Sequence, residues 1–222
     1  MSADFSDQTG IFDPNSCAES VTIIGCGGIG GSILPTIVTM GFQRFVLYDD
    51  DLVEPRNMAS TLIFRDEHLY QPKVEVVRDY LLAHGAEEVV IHREKFTAAT
   101  EIDSSVVISG VDTMAARQEI WQAVAVSDAV DIYLDGRIGG LNWHLLLVNP
   151  LDGEWYENKH LFGDDKAAED LCAVRAIVYP AVALGAQMAA QLAKWSRHVM
   201  IPKQLRGNME DGSQITIGTQ LI

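Results

Sequence analysis

The chain has 222 residues, 48% of them hydrophobic, and its 31 acidic and 16 basic side chains give a formal net charge of -15. This length and apolar content suit one domain of the larger α/β kind. Binding of nucleic acid through phosphate neutralisation is not expected, because that mode needs a basic surface. Three cysteines without a CxxC spacing, and no basic and apolar N-terminal run, favour a cytoplasmic protein without a signal peptide.

Short apolar runs along the chain predict six β-strands. They are VTIIG (21–25), RFVLYD (44–49), EEVVIH (87–92), SSVVISG (104–110), VDIYLDG (130–136) and NWHLLLVNP (142–150). Stretches with helical spacing separate most of them, which predicts a mainly parallel sheet covered by helices on both faces, an α/β fold. The apolar run at 176–195 is interrupted by Pro180, Gly185 and two glutamines, so it predicts a buried helix and no membrane span.

The stretch VTIIGCGGIGGSILPTIVTMGFQRFVLYDDD (21–51) has the order strand, glycine turn, helix, strand and three aspartates. In its GxGxxG turn, Gly25 permits the tight turn, Gly27 lets the backbone approach a phosphate, and Gly30 lets helix and strand pack closely. Asp49 follows where a ribose-binding acid belongs. The stretch therefore predicts nucleotide binding on a Rossmann-like, doubly wound sheet.

Three segments follow from this pattern. Residues 1–20 are polar and form an N-terminal arm that we expect to pack loosely, residues 21–198 form the nucleotide-binding domain, and residues 199–222 form a C-terminal extension packed on the same domain. Residues 149–171 predict a long loop before the last helix. Loops of that length are usually functional or mobile.

An NAD site accounts for the glycines and Asp49, but it does not account for two polar residues farther along. Asn57 lies eight residues after Asp49, and Lys73 lies sixteen after Asn57 at the start of a predicted helix. The helix dipole favours anions at that end, so a lysine there suggests a phosphate contact. The alternative is an ordinary solvated surface lysine.

Asp112 is placed in the loop after the strand that ends at Gly110, where open α/β sheets bind ligands. An aspartate there can hold Mg²⁺ on a nucleotide triphosphate. It can also serve as N-cap of a helix that begins near Thr113, or do both. Arg117, in that helix, faces either the site or solvent.

In these motifs and their order, the chain resembles the ThiF/MoeB superfamily. This fold is shared by ubiquitin-activating enzymes and the bacterial proteins that adenylate sulfur-carrier C-termini. The resemblance covers about residues 8–195. GCGGIGG is similar to the family's GxGGxGS turn, DDDLVEPRN to D-x-D-x-V-x-x-x-N, QPKVEVV to G-K-x-K-A and VDTMAAR to D-x-x-x-x-R, while DQTGIFDP resembles the R-Q-x-x-x-x-G lead-in more faintly.

The resemblance implies binding of ATP and Mg²⁺, and attack by a partner's terminal carboxylate on the α-phosphate to give an acyl-adenylate and pyrophosphate. The partner would be a ubiquitin-like or sulfur-carrier protein with a flexible C-terminal tail, and family members commonly form homodimers. The resemblance implies that the nucleotide turn is formed by Gly25, Gly27, Gly28 and Gly30, and that Asp49 binds the ribose. It also implies that Asp51 and Asn57 shape the phosphate site, that Lys73 neutralises the triphosphate and that Asp112 holds the metal.

Two arginines of the family pattern are missing. The N-x-x-R-Q stretch becomes Asn57-Met58-Ala59-Ser60-Thr61, which leaves a serine at the arginine position, and the first arginine of the chain is Arg44, well after the lead-in. An arginine aimed at a transferring phosphoryl group is worth ~10³-fold or more. The candidate catalytic substitutes are Arg56, Arg65 and Arg137, of which we favour Arg56.

Arg137 and Cys172 each have two interpretations. Arg137, in a glycine-flanked loop after a strand, either contacts the substrate carboxylate or a phosphate, or forms a salt bridge with Asp135 or a nearby acid. Cys172 occupies a position that carries a transfer thiol in some family members, and the alternative is a buried structural cysteine. Cys26, inside the glycine turn, is expected to be a small packed residue.

Two functions from different classes remain open. The first is an adenylating enzyme, favoured by Lys73 and Asp112; the second is a degenerate module that binds nucleotide or partner without efficient chemistry, favoured by the missing arginines. An NAD(P)-dependent enzyme is a weaker third. The family's paired CxxC zinc motif is absent, so no structural zinc is expected.

Overall fold

The computed structural model describes residues 4–14, 20–163 and 177–222. Within them, the helices are α1 Gly30–Met40, α2 Lys73–Ala83, α3 Met114–Val124, α4 Glu154–His160 and α5 Val178–Trp195. The strands are β1 Ser20–Ile24, β2 Arg44–Tyr48, β3 Glu88–His92, β4 Val106–Ser109, β5 Ile132–Gly139, β6 Asn142–Val148, β7 Ile201–Asn208 and β8 Gln214–Gln220.

The strands form one eight-stranded sheet in the order β3-β2-β1-β4-β5-β6-β7-β8. Strands β1 to β5 pair in parallel, and β6, β7 and β8 continue the sheet by antiparallel pairing. The chain order reverses between β1 and β4, whose carboxyl ends therefore flank the crevice in which doubly wound sheets bind ligands.

Apolar side chains of α1, α2 and α5 cover one face of the sheet, and those of α3 and α4 cover the other. Strand β4 lacks the alternation of apolar and polar residues that marks a strand with one exposed face. All four of its residues are buried, because successive side chains enter the cores on opposite faces of the sheet. The predicted Rossmann-like α/β fold, with a mainly parallel sheet and helices on both faces, is confirmed. No helix in the described part of the chain is long and apolar enough to cross a membrane.

Two regions differ from the sequence-based expectations, and the C-terminal extension, expected to pack on the domain, continues its sheet. Phe12 is 2% exposed and stacks on Phe42 with ring centroids 5.3 Å apart, so this part of the N-terminal arm is not loosely packed. Residues 154–160 form α4 inside the segment expected to be a loop, because Tyr156 is buried against the sheet. The C-terminal residues 201–208 and 214–220 form two strands of the main sheet.

Candidate functional site

The glycine turn lies where β1 meets β4. Gly25 has φ +92°, and its N–H donates to the carbonyl of Tyr48 at 2.9 Å. A Cβ there would lie 3.0 Å from the backbone of Gly110, whose own N–H donates to Ile24. A Cβ on Gly30 would lie 2.3 Å from the carbonyl oxygen of Gly25. Both positions therefore need glycine for backbone contact, as the sequence predicts.

The middle of the turn is open. A Cβ on Gly27 would meet no atom of the described residues within 4 Å, and Gly27 and Gly28 are only half-buried. Within the described residues, neither of their N–H groups donates to a backbone acceptor in the turn. Free amides at the start of α1 form an arrangement suited to an anion, since the helix dipole adds to their partial positive charge.

Asp49 ties this turn to the end of β2. Its Oδ2 accepts the N–H of Cys26 at 2.7 Å, and its Oδ1 accepts the N–H of Asp51 at 2.9 Å. The side chain is 8% exposed, and burial raises the pKa of Asp49 against the lowering effect of Lys73 and the two N–H groups. The carboxylate therefore orients the glycine turn, whatever ligand it also contacts.

Lys73 is the buried cation beside this aspartate. Its Nζ lies 2.6 Å from Asp51 Oδ2 and 3.9 Å from Asp49 Oδ1, and Lys73 is 6% exposed. The backbone holds it there, because its N–H donates to the carbonyl of Asp51 at 3.1 Å and an isolated bridge pairs Leu52 with Pro72. The alternative of a solvated surface lysine is wrong.

The segment with Asn57 is a 3-10 helix, Pro55–Ala59, that stands next to the glycine turn. The amide oxygen of Asn57 accepts the N–H of Glu54 at 2.8 Å, which fixes the start of this helix. Arg56 lies at the surface, with its side chain 80% exposed and its Nε in an ion pair with Glu54.

Ser60 and Thr61, at the positions of the family's Arg-Gln pair, pack against the turn. A Cβ on Gly28 would lie 3.1 Å from the carbonyl oxygen of Ser60. A Cβ on Gly31, where the family pattern has serine, would lie 2.2 Å from Thr61 Oγ1. The departures at positions 31 and 61 are therefore sterically coupled, because Thr61 occupies the space that a side chain at position 31 needs.

Asp112 lies at the carboxyl end of β4, as predicted, and is exposed. The expectation that it caps the next helix is wrong. Thr113 is the N-cap of α3, and its Oγ1 accepts the N–H of Ala116 at 3.2 Å. Because the capping position is taken by its neighbour, the carboxylate of Asp112 is left to face solvent near the crevice.

A network around Asp135 occupies the interior below this loop. Asp135 Oδ1 accepts from Arg117 Nε at 3.0 Å and from Ser109 Oγ at 3.1 Å. Its Oδ2 accepts from Arg137 Nε at 2.9 Å and from Tyr156 Oη at 3.0 Å. Asp135 is 0% exposed and both arginines are 1% exposed.

This network corrects two expectations about arginines. Arg137 lies within β5 and not in a loop, because the strand continues to Gly139 through its pairing with β6. Its side chain is buried on Asp135 and the carbonyl of His160, which is the salt-bridge alternative. Arg117 faces the protein interior and neither solvent nor an open site.

The charges inside this network shift several pKa values. Although burial alone would raise the pKa of Asp135, Arg137 and Arg117 hold it at about 2. Burial raises the pKa of Tyr156, and Asp135 raises it further. Burial, with the nearby Arg206 and Arg137, lowers the pKa of His144 to about 3, so this histidine is neutral. Asp135 is therefore a permanently charged anchor and not a proton carrier at neutral pH.

Of the two cysteines singled out from the sequence, only Cys26 lies among the described residues. Cys26 is fully buried with a free thiol, and burial raises its pKa well above the usual value, as expected for a small packed residue. Cys172 lies outside the described residues.

In the part of the chain that is described, ligand atoms of Asp49, Asp50 and Asp51 lie within 4.8 Å of one another. These are oxygen ligands, which suit Mg²⁺ or Ca²⁺ more than zinc.

The sequence offered the Arg137–Asp135 bridge as one alternative, but it did not predict the contacts of Arg117, Ser109 and Tyr156 with Asp135. The one available signal is the charged pair Asp135 and Arg137 inside the apolar run IYLDGRIGG, where both side chains face the same side of a strand. Arg117 adds no signal of its own, since its distance in sequence from Asp135 does not reveal that the two side chains meet.

Comparison with known proteins identifies relatives over most of the chain. The sequence profile of the ThiF family matches residues 16–210. The sulfur carrier protein ThiS adenylyltransferase of Escherichia coli is 27% identical over 169 residues, covering 74% of this chain and 66% of that protein. The NEDD8-activating enzyme E1 catalytic subunit of Schizosaccharomyces pombe is 24% identical over 147 residues, 63% of this chain and 33% of that one. The chain thus spans from a third to just under two thirds of the length of these relatives.

Solved structures share the fold. Escherichia coli MccB with succinimide superposes with a TM-score of 0.76 at 15% identity, covering 94% of this chain and 64% of that one. MccB with ATP gives a TM-score of 0.72 at 15% identity, with 92% and 65% covered. PaaA gives 0.67 at 17% identity, with 91% and 64% covered.

Proposed function

Because the chain belongs to the ThiF family, we propose that it uses ATP to adenylate the C-terminal carboxylate of a ubiquitin-like or sulfur-carrier protein. One observation carries this proposal. The amides of Gly27 and Gly28, which donate to no backbone acceptor among the described residues, lie on the same edge of the sheet as a buried cation, Lys73, and the two carboxylates that hold it. An anion-binding turn next to a fixed positive charge suits a nucleotide triphosphate.

The residues along this edge would contact different parts of the nucleotide. The amides of Gly27 and Gly28 would contact phosphate oxygens, and Asp49 would keep the turn in place while its remaining acceptor capacity contacts the ribose. Lys73 has three donors, of which Asp51 engages one at 2.6 Å, so the others can turn to a phosphate. Asn57 would contribute by holding the 3-10 helix against the turn.

Mg²⁺ would be held by Asp112, with the acidic run 49–51 close to the turn. Bound to the triphosphate, the ion would cancel part of the charge that spreads over the phosphates during nucleotidyl transfer. Both regions offer the oxygen ligands that Mg²⁺ prefers, and Asp112 is exposed at the carboxyl end of β4. The fit is therefore one of donor chemistry and position on the sheet.

The carboxylate of the partner tail would attack the α-phosphorus, forming the C–O–P bond of an acyl-adenylate as the bond to pyrophosphate breaks. Two relatives support a protein or peptide substrate, since one is named for the sulfur carrier ThiS and MccB has been crystallised with MccA. An extended tail can reach this crevice because it lies at the open edge of the sheet.

A binding module without efficient chemistry is the second candidate. It is favoured by Ser60, which stands at the position of a family arginine, and by Arg137, whose guanidinium is buried on Asp135. Of the candidate substitutes, Arg56 is exposed, while Arg65 donates to the carbonyls of Leu62 and Phe64. Without an arginine at the phosphates, nucleotide binding would remain while transfer slows.

ATP–pyrophosphate exchange separates these two functions. Exchange that depends on a carrier protein supports the enzyme; tight ATP binding with no exchange for any carrier supports the module. Calorimetric titration should also show that ATP with Mg²⁺ binds more tightly than NAD, because Lys73 serves a triphosphate. Binding of NAD without binding of ATP would contradict this prediction and, with it, the adenylating enzyme.

Lys73→Ala and Asp112→Ala test the assignment residue by residue. Each should abolish exchange, Lys73→Ala by weakening ATP binding and Asp112→Ala by weakening the response to Mg²⁺. Asp112→Ala should leave unfolding unchanged because its side chain is exposed. Lys73→Ala should destabilise the fold modestly, because it leaves the charge of Asp49 without its buried cation.

A homodimer is part of the same proposal. Tyr179 and Val182, one turn apart on α5, are 42% and 37% exposed on a helix whose other face is buried in the core. An apolar stripe of this kind suits a second copy of the chain. Light scattering of the wild type and of Val182→Lys would test it, since a monomeric wild type excludes this interface.

A further inference from the structure

The geometry points to Arg117 as a positioning residue that holds the Asp112 loop in place from inside the protein. We infer that its guanidinium fixes the backbone on both sides of Asp112 and so keeps this carboxylate directed to the crevice. The inference rests on the proposed role of Asp112 in binding Mg²⁺. It assigns Arg117 no contact with nucleotide or metal.

The contacts of Arg117 bracket Asp112. Arg117 Nη2 donates to the carbonyl of Val111 at 2.6 Å, and its Nη1 donates to the carbonyl of Thr113 at 3.3 Å. These carbonyls belong to the residues directly before and after Asp112. Asp112 itself is exposed, and no hydrogen bond of its side chain to another described residue fixes it. Thr113 is also held by the backbone N–H of Arg117 and by its own helix cap, so the guanidinium contributes most at Val111, the residue before Asp112.

The guanidinium is itself fixed by the sheet. Its Nε donates to Asp135 Oδ1 at 3.0 Å, and its Nη2 also donates to the carbonyl of Gly136 at 3.2 Å. Asp135 and Gly136 lie in the interior of β5, and Asp135 is further held by Ser109 and Tyr156. Strand β5 is thus the fixed element, and Arg117 connects the surface loop to it by hydrogen bonds.

Only an arginine can make these contacts together. The planar guanidinium presents donors in several fixed directions, whereas a lysine ammonium at the end of the same stem is a point charge. Lysine can keep the ion pair with Asp135 but cannot also span the carbonyls of Val111 and Thr113. The conservative change Arg117→Lys therefore keeps the buried charge and removes the side-chain hydrogen bonds to the carbonyls of Val111 and Thr113.

Residues that orient metal ligands from outside the ligand set typically affect metal affinity by ~10- to 100-fold. Arg117→Lys should accordingly raise the Mg²⁺ concentration for half-maximal exchange by ~10-fold or more, with the Michaelis constant for the carrier little changed. Binding of Mn²⁺ in the presence of ATP, followed by electron paramagnetic resonance, should weaken by a similar factor.

Tyr156→Phe is the matched control. It removes a different donor to Asp135, at 3.0 Å, and leaves the carbonyls of Val111 and Thr113 untouched. It should lower the free energy of unfolding without changing the metal requirement. If both variants alter the metal requirement equally, or if Arg117→Lys leaves it unchanged, Arg117 is structural only and the inference is wrong. Should Arg117→Lys fail to fold, Arg117→Gln is measured in the same way.

Mn²⁺ binding also separates this inference from the proposed function. If the wild type shows no exchange with any carrier but Arg117→Lys weakens Mn²⁺ binding with ATP while Tyr156→Phe does not, the positioning role stands and the enzyme does not. If Asp112→Ala binds Mn²⁺ with ATP as tightly as the wild type, Asp112 is no metal ligand and the positioning role is overturned.

Discussion

Asp49 and Asp135 are two buried carboxylates of the same sheet, and their surroundings differ. Asp49, at the end of β2, accepts two backbone N–H groups and has its nearest cation, Lys73, at 3.9 Å. Asp135, inside β5, accepts from two arginines and two hydroxyl groups, all within 3.1 Å. Burial accordingly raises the pKa of Asp49, whereas the arginines hold that of Asp135 at about 2.

The difference separates a site that can accept a ligand from one that cannot. The acceptors of Asp135 are saturated, and the chain surrounds it completely, so it can only support structure. Asp49 keeps unused acceptor capacity, and the cation beside it is held mainly by an exposed partner, Asp51. A charge that is partly satisfied next to open amides is the one that a ligand can complete.

Asp135→Asn should have the largest effect on stability. Breaking a buried ion pair by removing one partner typically costs about 3–5 kcal/mol, and here two arginines lose their anion. Asp49→Asn should cost about 1 kcal/mol, because an amide keeps one acceptor for the turn and removes a charge that burial opposes. Urea denaturation at pH 7 measures both. Equal losses would show that the two carboxylates are not different in kind.

Acid should act first on the side of the sheet that holds Asp135. His144 on β6 has its folded pKa lowered from 6.5 to about 3, so below pH 6.5 the unfolded chain binds a proton that the folded chain does not. Stability is therefore lost as pH falls, by about 3 kcal/mol between pH 6.5 and 4 at about 1.4 kcal/mol per pH unit.

His144→Gln should flatten this part of the stability profile, measured by urea denaturation at several pH values. Asp135, whose pKa is lowered to about 2, adds its own loss only below about pH 4. Asp49 works in the opposite direction, because its raised pKa means that the folded chain gains the proton more readily. An unchanged profile in His144→Gln would place the acid-sensitive groups elsewhere.

Around the glycine turn, we expect stability to be limited by steric crowding and not by charge. Gly31→Ala adds a Cβ 2.2 Å from Thr61 Oγ1, and overpacking of this size costs about 2 kcal/mol even though alanine favours a helix. Thr61→Ala removes the clashing oxygen. The double variant should therefore be more stable than the sum of the two single changes predicts, in a cycle measured by denaturation. Simple additivity would mean that the two positions are not coupled.

Arg56→Ala should have the smallest effect on stability, below about 0.5 kcal/mol, because its ion pair with Glu54 is exposed. If Arg56 replaces the missing family arginine, its loss should slow exchange by ~10²-fold while ATP affinity changes much less, which marks an interaction made mainly in the transition state. Arg56→Lys should rescue partly. An unchanged rate in Arg56→Ala would point to an arginine from a second subunit or from the partner.

The sequence predicted six of these strands because they are short apolar runs, and it predicted the buried helix α5 because that segment is long and mostly apolar. It missed β7 and β8, whose segments IPKQLRGN and QITIGTQ mix proline, glycine and polar residues at the edge of the sheet. It also missed α4, which is only seven residues long and buries little beyond Tyr156 and His160. Short elements and edge strands owe their form to neighbours that a local pattern does not contain.

The site was predicted where residues act through the backbone and was missed where side chains meet across elements. Gly25, Gly30 and Asp49 have their roles fixed by a local strand–turn–helix pattern, and the structure places them together. The pairing of Asp135 with Arg117 joins β5 to α3 and depends on the way the helix packs, which no spacing encodes. Arg137 was misplaced because the strand extends past Gly136 through its antiparallel partner.

The position of β1 between β2 and β4 has a consequence for folding. Strands β5 to β8 pair with their sequence neighbours, but β1 must also pair with β4, which lies more than 80 residues farther along the chain. Closing so long a loop is slow relative to forming hairpins. Because Gly110 packs on Gly25, the nucleotide turn reaches its final shape only when this closure occurs. The turn can therefore bind an anion only after β4 has paired with β1.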